Sequence, residues 1–293
     1  VVTGCMVPGP EAPLSGFGLP PPHDWLTRRR AELVRAAGDL LSFNYRRTAN
    51  AVRQHYGLPP LATTIREMTG RMSLNLVRGA PELDYNRRDL PPSVHYVGPL
   101  LWSPQGLETP APWLEELPAD QPLILVIGST ADKGKLTLLR AAAAGLAHRP
   151  LQVVITTGGS GSAGQLGLEP AAPNIRIAAW VPYSQVLPRT TAMVTVGGAG
   201  TVLTALNAGI PLLVVPAEAD QPDNARRVVE SGAGLRLSSS RCSPDRVREA
   251  VEALLAEPGY RQNATGLARV FQRYQGGTKA AELLEDMVEN RGG

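Results

Sequence analysis

Short apolar runs alternate with amphipathic stretches through the second half of the chain. Such runs predict strands, and apolar residues at helical spacing predict helices between them. The predicted strands are 123–127, 151–155, 175–178, 192–196 and 212–215, and the predicted helices are 135–147, 184–187, 223–230, 244–256, 260–274 and 279–289. Strands and helices that alternate in this way form a parallel sheet with helices on its faces, so the pattern predicts a doubly wound α/β domain.

The first hundred residues show this pattern only in part. The opening VVTGCMV is typical of a strand, 25–56 has the apolar spacing of one or two helices, and 94–97 predicts a short strand. Prolines are frequent after residue 99, which favours a connecting segment. We therefore predict a first domain over 1–100, an interdomain linker over 101–119 and a second domain over 120–293.

A glycine-rich turn follows the predicted strand that ends at Val196. Gly197, Gly198 and Gly200 precede a helix that we expect to open at Thr201. Backbone N–H groups and a hydroxyl at a helix N-terminus favour a phosphate. The alternative is a tight turn in which glycine only supplies a positive φ.

A polar pair, Asp220 and Gln221, comes after the next predicted strand. It should lie at the carboxyl edge of the same sheet, where ligands bind in open α/β folds. A carboxylate beside an amide can hydrogen-bond neighbouring sugar hydroxyls, and helix capping is the alternative role. Together the turn and the pair outline a nucleotide-sugar site.

Composition and charge exclude several classes of protein. The formal net charge is +3, from 29 Lys and Arg against 26 Asp and Glu, which is too little for a nucleic-acid binder. Cys5 and Cys242 have no histidine or cysteine nearby at metal-ligand spacing, so we expect neither a zinc site nor a disulfide framework. No apolar run approaches the roughly 18 residues of a membrane span, and we expect a soluble, cytoplasmic protein.

An ordered set of motifs resembles a known family. The motifs are VGGAGT, Ala205-Leu206, Gly209-Ile210-Pro211, Pro216 and DQPDNA. Their order resembles the C-terminal half of the nucleotide-sugar-dependent glycosyltransferases with two Rossmann domains, which include antibiotic and carotenoid glycosyltransferases. The resemblance implies the GT-B fold, with two Rossmann-like doubly wound α/β domains. It also implies that 1–100 is only the latter part of the first domain and that the chain is truncated at its N-terminus.

The resemblance also implies which residues bind the donor. The indole of Trp180 is expected to stack on a uracil or thymine base and the glycine turn to bind the pyrophosphate. Asp220 and Gln221 are expected to bind the hexose, with Asn224 assisting on the phosphate side. The implied donor-binding residues are Gly128, Ser129, Trp180, Val181, Val196, Gly197, Gly198, Gly200, Thr201, Asp220, Gln221 and Asn224. The structural alternatives are a core tryptophan for Trp180 and a helix cap for Ser129.

The chain departs from the family pattern at three places. Val196 stands where the family usually has a histidine that donates to a phosphate oxygen, and Tyr183 stands where plant members have glutamine. The family's catalytic histidine, close to the natural N-terminus, has no counterpart here. His23, in a proline-rich loop beside Asp24, is a candidate for a replacement base.

Two further segments were weighed for ligand contacts. The glycine-rich loop 157–164 follows a different strand from the family's phosphate site, and we predict a flexible loop there. Trp25 and Leu26, with the arginines at 28–30, form a candidate surface for peripheral contact with a membrane-associated acceptor. A solvated helix face is the alternative.

These observations favour a glycosyltransferase that moves a hexose from a UDP- or TDP-sugar to a hydroxyl of a small, apolar acceptor, with inversion of configuration. We expect no cofactor and no metal, because the chain has no Asp-x-Asp cluster. The alternatives are a catalytically silent nucleotide-sugar-binding homologue, or one half of a split enzyme that needs a complementing N-terminal fragment. A nicotinamide-dependent oxidoreductase is disfavoured, since no Gly-x-Gly-x-x-Gly run opens a helix with an acidic residue about 20 positions on.

Overall fold

The structure is a computed structural model that describes residues 2–4, 11–14, 16–41, 43–61, 72–85, 87–101, 111–128, 135–159, 164, 167–168 and 172–289. It divides into two compact units. One consists of Val1–Leu100 with Tyr274–Gly293, and the other consists of Leu101–Arg273.

Strands and helices alternate along most of the chain. The strands are β1 (Val2–Gly4), β2 (Asn75–Arg78), β3 (Val94–Gly98), β4 (Leu123–Ile127), β5 (Gln152–Thr156), β6 (Ile175–Ala178), β7 (Thr190–Thr195), β8 (Leu212–Val214) and β9 (Gly234–Arg236). The α-helices are α1 (Trp25–Leu41), α2 (Phe43–His55), α3 (Lys135–Leu146), α4 (Tyr183–Val186), α5 (Ala199–Asn207), α6 (Gln221–Glu230), α7 (Pro244–Ala256), α8 (Pro258–Phe271) and α9 (Gly276–Glu289). Most predicted elements are present, whereas β2 and β9 were not predicted.

The second unit is built on a six-stranded parallel sheet in the order β6-β5-β4-β7-β8-β9. This is the strand order of a Rossmann sheet, with its reversal between β4 and β7. Strand β4 and its neighbour β5 are buried along their whole length, because helices cover both faces of the sheet. The structure confirms the predicted doubly wound fold and places a ligand crevice at the carboxyl ends of β4 and β7.

Close helix packing covers this sheet. Leu138 and Leu139 of α3 and Val247 and Val251 of α7 belong to one buried cluster with the strands. On α8, Arg261 donates hydrogen bonds to the backbone carbonyls of Gly209, Thr190 and Thr191. That side chain fixes α8 against the start of β7, so the strand that leads into the glycine turn is held at its other end.

A three-stranded parallel sheet, in the order β1-β2-β3, forms the first unit. Its buried residues Leu76 and Val97 pack against Ala280, Leu283 and Met287 of α9. The sequence reading placed this helix in a second domain over 120–293, whereas the structure groups it with the first unit. An amphipathic pattern shows that a helix has an apolar face, but it does not show which sheet that face covers.

The predicted linker over 101–119 is not a free connection in its described part. The N–H of Ala111 donates to Gln185 Oε1 at 2.9 Å, and Arg189 donates to the carbonyls of Leu114 and Leu117. Leu114 is buried. Residues 111–117 therefore pack on the second unit, beside the short helix α4.

The helices α1 and α2 expose several large apolar side chains, among them Trp25, Leu26, Leu33, Tyr45 and Val52. The arginines at 28–30 are exposed as well. Among the helices that the structure describes, none has the length and apolar character needed to cross a membrane.

Candidate functional site

A cavity of about 270 Å³ opens at the carboxyl ends of the central strands of the second unit. The lining residues are Ile127, Gly128, Thr156, Gly158, Trp180, Val181, Tyr183, Thr195, Val196, Gly198, Ala199, Gly200 and Thr201. They come from the ends of β4, β5 and β7, from the loop after β6 and from the first turn of α5. The cavity thus lies where the strand order reverses, and its volume is near the lower end for small-molecule sites, about 300 Å³.

The glycine turn between β7 and α5 is held at Gly197. This residue has a φ of +93°, and a Cβ there would collide with the Val214 side chain. Its N–H donates to the Thr195 hydroxyl at 3.2 Å, and its carbonyl accepts from the Asn224 amide at 2.9 Å. Glycine at this position is therefore required by the protein's own packing and backbone.

Gly198 and Gly200 face different constraints. Neither has a positive φ, and a Cβ added to either meets no atom of the described residues within 4 Å. Gly198 is the N-cap residue of α5, and no side chain caps this helix end. The first N–H groups of a helix lack intrahelical partners and carry the positive end of its dipole. The cavity wall at this turn is therefore bare backbone suited to an anion.

Tyr183 and Thr201 meet across the same cavity. The Thr201 side chain hydrogen-bonds the Tyr183 phenol, and burial raises the pKa of that phenol above its ordinary value of 10.0 despite the opposing effect of this bond. Tyr183 is consequently neutral near pH 7. The position that the family resemblance left in doubt thus contributes a polar group to the wall.

Trp180 is 70% exposed and lines the cavity. Its neighbour Val181 is buried, so the chain turns the tryptophan outward and the valine inward. This placement rules out the alternative of a core tryptophan. The exposed indole offers a planar apolar face of the kind on which nucleic-acid bases stack.

Three polar residues gather at the start of α6, and none of them lines the cavity. The carboxylate of Asp220 occupies the N-cap position without capping the helix, and its Oδ2 accepts a hydrogen bond from Asn224 Nδ2 at 2.9 Å. Gln221 Oε1 accepts the N–H groups of Ala217 and Glu218 at 2.9 and 3.1 Å. Instead of capping α6, these side chains brace the loop before it.

Of the remaining predicted donor-binding residues, some line the cavity and one lies outside the described residues. Gly128 and Val196 both line the cavity, and Val196, only 2% exposed, makes the wall apolar where the family usually has a histidine. Ser129 lies outside the described residues. In the loop after β5, Gly158 lines the cavity as well, although the sequence reading assigned 157–164 no part in the site.

His23 lies in the first unit, where its Nε2 is 3.2 Å from Asp24 Oδ2. Asp24 has a structural role, because its carboxylate accepts the N–H of Thr27 at 2.7 Å and caps α1. That backbone hydrogen bond is the main cause of the lowered pKa of Asp24. His23 itself is exposed.

Sequence reasoning missed Thr156 and Thr195. Both are buried at the carboxyl ends of apolar strands and both line the cavity. A single polar residue at the last position of a buried parallel strand was the available signal, because such ends converge on the crevice. Within the described residues, no three His, Cys, Asp or Glu side chains come together as metal ligands.

Comparison with known proteins agrees with this geometry. Residues 152–287 match the family model of the erythromycin biosynthesis protein CIII-like C-terminal domain. The 4'-demethylrebeccamycin synthase of Lentzea aerocolonigenes is 36% identical over 279 residues, which are 94% of this chain and 65% of that protein. A PGL/p-HBAD biosynthesis rhamnosyltransferase of Mycobacterium bovis is 33% identical over 244 residues, 83% of this chain and 52% of that protein.

A solved structure extends the likeness beyond the second unit. The calicheamicin glycosyltransferase CalG4 superposes with a TM-score of 0.69 at 26% identity, over 92% of this chain and 66% of that one. The chain therefore spans between about half and two thirds of the length of these proteins. From the strand order, the cavity at its reversal and these matches, we conclude that residues 152–287 form an EryCIII-like C-terminal domain and that the chain is similar to antibiotic glycosyltransferases with the GT-B fold.

Proposed function

We propose that the cavity binds the nucleotide of a UDP- or TDP-hexose and that the chain serves an inverting, metal-independent hexosyl transfer to a hydroxyl of a small, apolar acceptor. The observation that carries the proposal is the pairing of two features on one cavity wall. An exposed indole at Trp180 and a side-chain-free helix N-terminus at Gly198–Gly200 suit the two ends of a nucleoside diphosphate.

The proposed transfer depends on stabilising the negative charge of the leaving group. When the anomeric carbon is attacked, negative charge develops on the leaving diphosphate, and oriented N–H groups with the α5 dipole stabilise it there. Tyr183 and Thr201 share one hydrogen bond on this wall, and the hydroxyl hydrogen that this bond leaves free adds a further donor. Inversion requires that the acceptor hydroxyl lose its proton to a base on the opposite face, and His23 is the candidate within this chain.

The alternatives of a silent binding protein or a split enzyme are not favoured, since the relatives are named as a synthase and a transferase. Cytoplasmic location, and membrane contact through Trp25 and Leu26, stay predictions.

Calorimetric titration of the purified chain tests the donor site. We expect UDP or TDP, and the matching glucose conjugate, to bind with micromolar affinity, and we expect Trp180→Ala to weaken all of them. A chain that binds none of these ligands contradicts the proposal. Binding without transfer to any of a panel of apolar alcohols supports the silent or split alternatives.

A further inference from the structure

A single buried amide joins the two polar parts of the site. Asn224 is 5% exposed, and its Nδ2 lies 2.9 Å from the Gly197 carbonyl and 2.9 Å from Asp220 Oδ2. An amide nitrogen carries two hydrogens, so both are used by these contacts. Asn224 has no hydrogen left for a ligand, in contrast to the prediction that it assists at the phosphate.

The two partners of Asn224 differ in how firmly they are held. Gly197 is fixed by the Thr195 hydroxyl and by contact with Val214. Asp220 is exposed and accepts no other hydrogen bond from the described residues. Because an exposed carboxylate samples several rotamers, the bond from a buried amide restricts it, and Oδ1 accepts no hydrogen bond from the described residues.

We propose that Asn224 is a positioning residue that holds the Asp220 carboxylate in register with the glycine turn. The turn is suited to a diphosphate and Asp220 to hexose hydroxyls. Because Asn224 holds the two at a fixed distance, one donor molecule can contact the turn and Asp220 at the same time. The inference rests on the proposed function. In this role Asn224 increases the affinity for a nucleotide sugar relative to the free nucleotide and does not contribute to nucleotide binding itself.

The test compares nucleotide with nucleotide sugar by calorimetry. UDP, UDP-glucose, TDP and TDP-glucose are titrated into the wild-type chain, Asn224→Ala, Asp220→Ala and the double variant. A charged hydrogen bond corresponds to roughly tenfold or more in affinity. We expect Asn224→Ala to lower the affinity for the sugar conjugates about tenfold more than the affinity for the free nucleotides. The affinities of the double variant should equal those of Asp220→Ala.

Asn263→Ala is the matched control, because the Asn263 amide also donates to a glycine carbonyl, that of Gly232, at 3.0 Å. It should leave all four affinities unchanged. Thermal unfolding checks each variant, and if Asn224→Ala does not fold, Asn224→Ser, which keeps one donor, takes its place with the same expected ratio.

The outcomes separate the two levels of inference. Equal losses for nucleotide and nucleotide sugar, or losses that simply add in the double variant, overturn the positioning role while the donor site stands. A wild-type chain that binds neither nucleotide nor conjugate overturns the proposed function and this inference together.

Discussion

Two glycine-rich turns contribute to the same cavity and use glycine for different reasons. After β5, Gly158 and Gly159 have φ values of +65° and +75°, and a Cβ on Gly159 meets nothing within 4 Å. After β7, Gly197 combines a φ of +93° with contact against Val214. Gly159 is needed for its backbone conformation alone, whereas Gly197 is needed for conformation and packing.

The second turn also contains glycines that nothing in the described part of the protein requires. Gly198 and Gly200 have ordinary φ values and open space around them. Since a fold gains nothing from glycine at such positions, a ligand that approaches the backbone closely is the physical reason we infer. The comparison therefore distinguishes glycines that the backbone conformation requires from glycines that leave space for a ligand beside the backbone.

The largest expected effect is on stability at Gly197. Gly197→Ala adds strain at a positive φ to overpacking against Val214, so we expect a loss of about 3 kcal/mol in the free energy of unfolding. Gly159→Ala has the strain without the collision and should lose about 1 kcal/mol. Urea denaturation measures both, and equal losses contradict the distinction between the two turns.

Next in size is the contribution of Trp180 to affinity. Trp180→Ala should weaken nucleotide binding by about 1–3 kcal/mol without changing the free energy of unfolding, because the side chain is mostly exposed. Trp113→Ala is the control, since Trp113 contacts Arg176 outside the cavity. Calorimetry that finds equal affinity losses in the two variants refutes the stacking role.

We expect Gly198→Ala and Gly200→Ala to change ligand affinity rather than stability, in contrast to Gly197→Ala. Their free energies of unfolding should stay within about 0.5 kcal/mol of the wild type, whereas UDP affinity should fall by about 1 kcal/mol as the added methyl group blocks close approach to the backbone. Uridine, which lacks phosphates, is the control ligand. A comparable fall in uridine affinity argues that the turn does not bind the diphosphate.

The smallest effect is expected at Tyr183. Tyr183→Phe removes a neutral hydrogen bond to Thr201 and should weaken UDP binding by about 1 kcal/mol. Because folding raises the pKa of Tyr183, the folded chain keeps a proton that the unfolded chain loses above pH 10. The wild type should therefore lose stability relative to Tyr183→Phe as the pH rises past that value. Parallel unfolding curves at pH 8 and pH 10.5 measure this, and an unchanged difference contradicts it.

Sequence reasoning reached the Rossmann sheet, the glycine turn and the cavity position because each depends on local pattern. Alternating apolar runs predicted β4 to β8, and the order of motifs from VGGAGT to DQPDNA identified the family. The short strand β9 went unpredicted, since its three residues, Gly234–Arg236, carry too little apolar signal. The assignment of α9 was wrong because nothing local to a helix specifies its partner sheet.

Residue roles were less predictable than residue positions. Asn224 was assigned to the phosphate side from a motif, but its contacts run to a carbonyl 27 residues away and to a carboxylate one helical turn before it. Gly158 entered the site only because β5 lies beside β4 in the folded sheet.

The sequence by itself determined strands β4 to β8, most of the helices and the backbone turn that begins at Gly197, because hydrophobic periodicity and glycine act between residues close in the chain. Only the tertiary structure decided that Trp180 faces outward, that Tyr183 meets Thr201, that Asn224 braces Asp220 and that α9 covers the first sheet. The contacts of Tyr183 with Thr201, of Asn224 with Gly197 and of α9 with the first sheet join residues distant in sequence, and their geometry exists only once the folded sheets have brought those residues together.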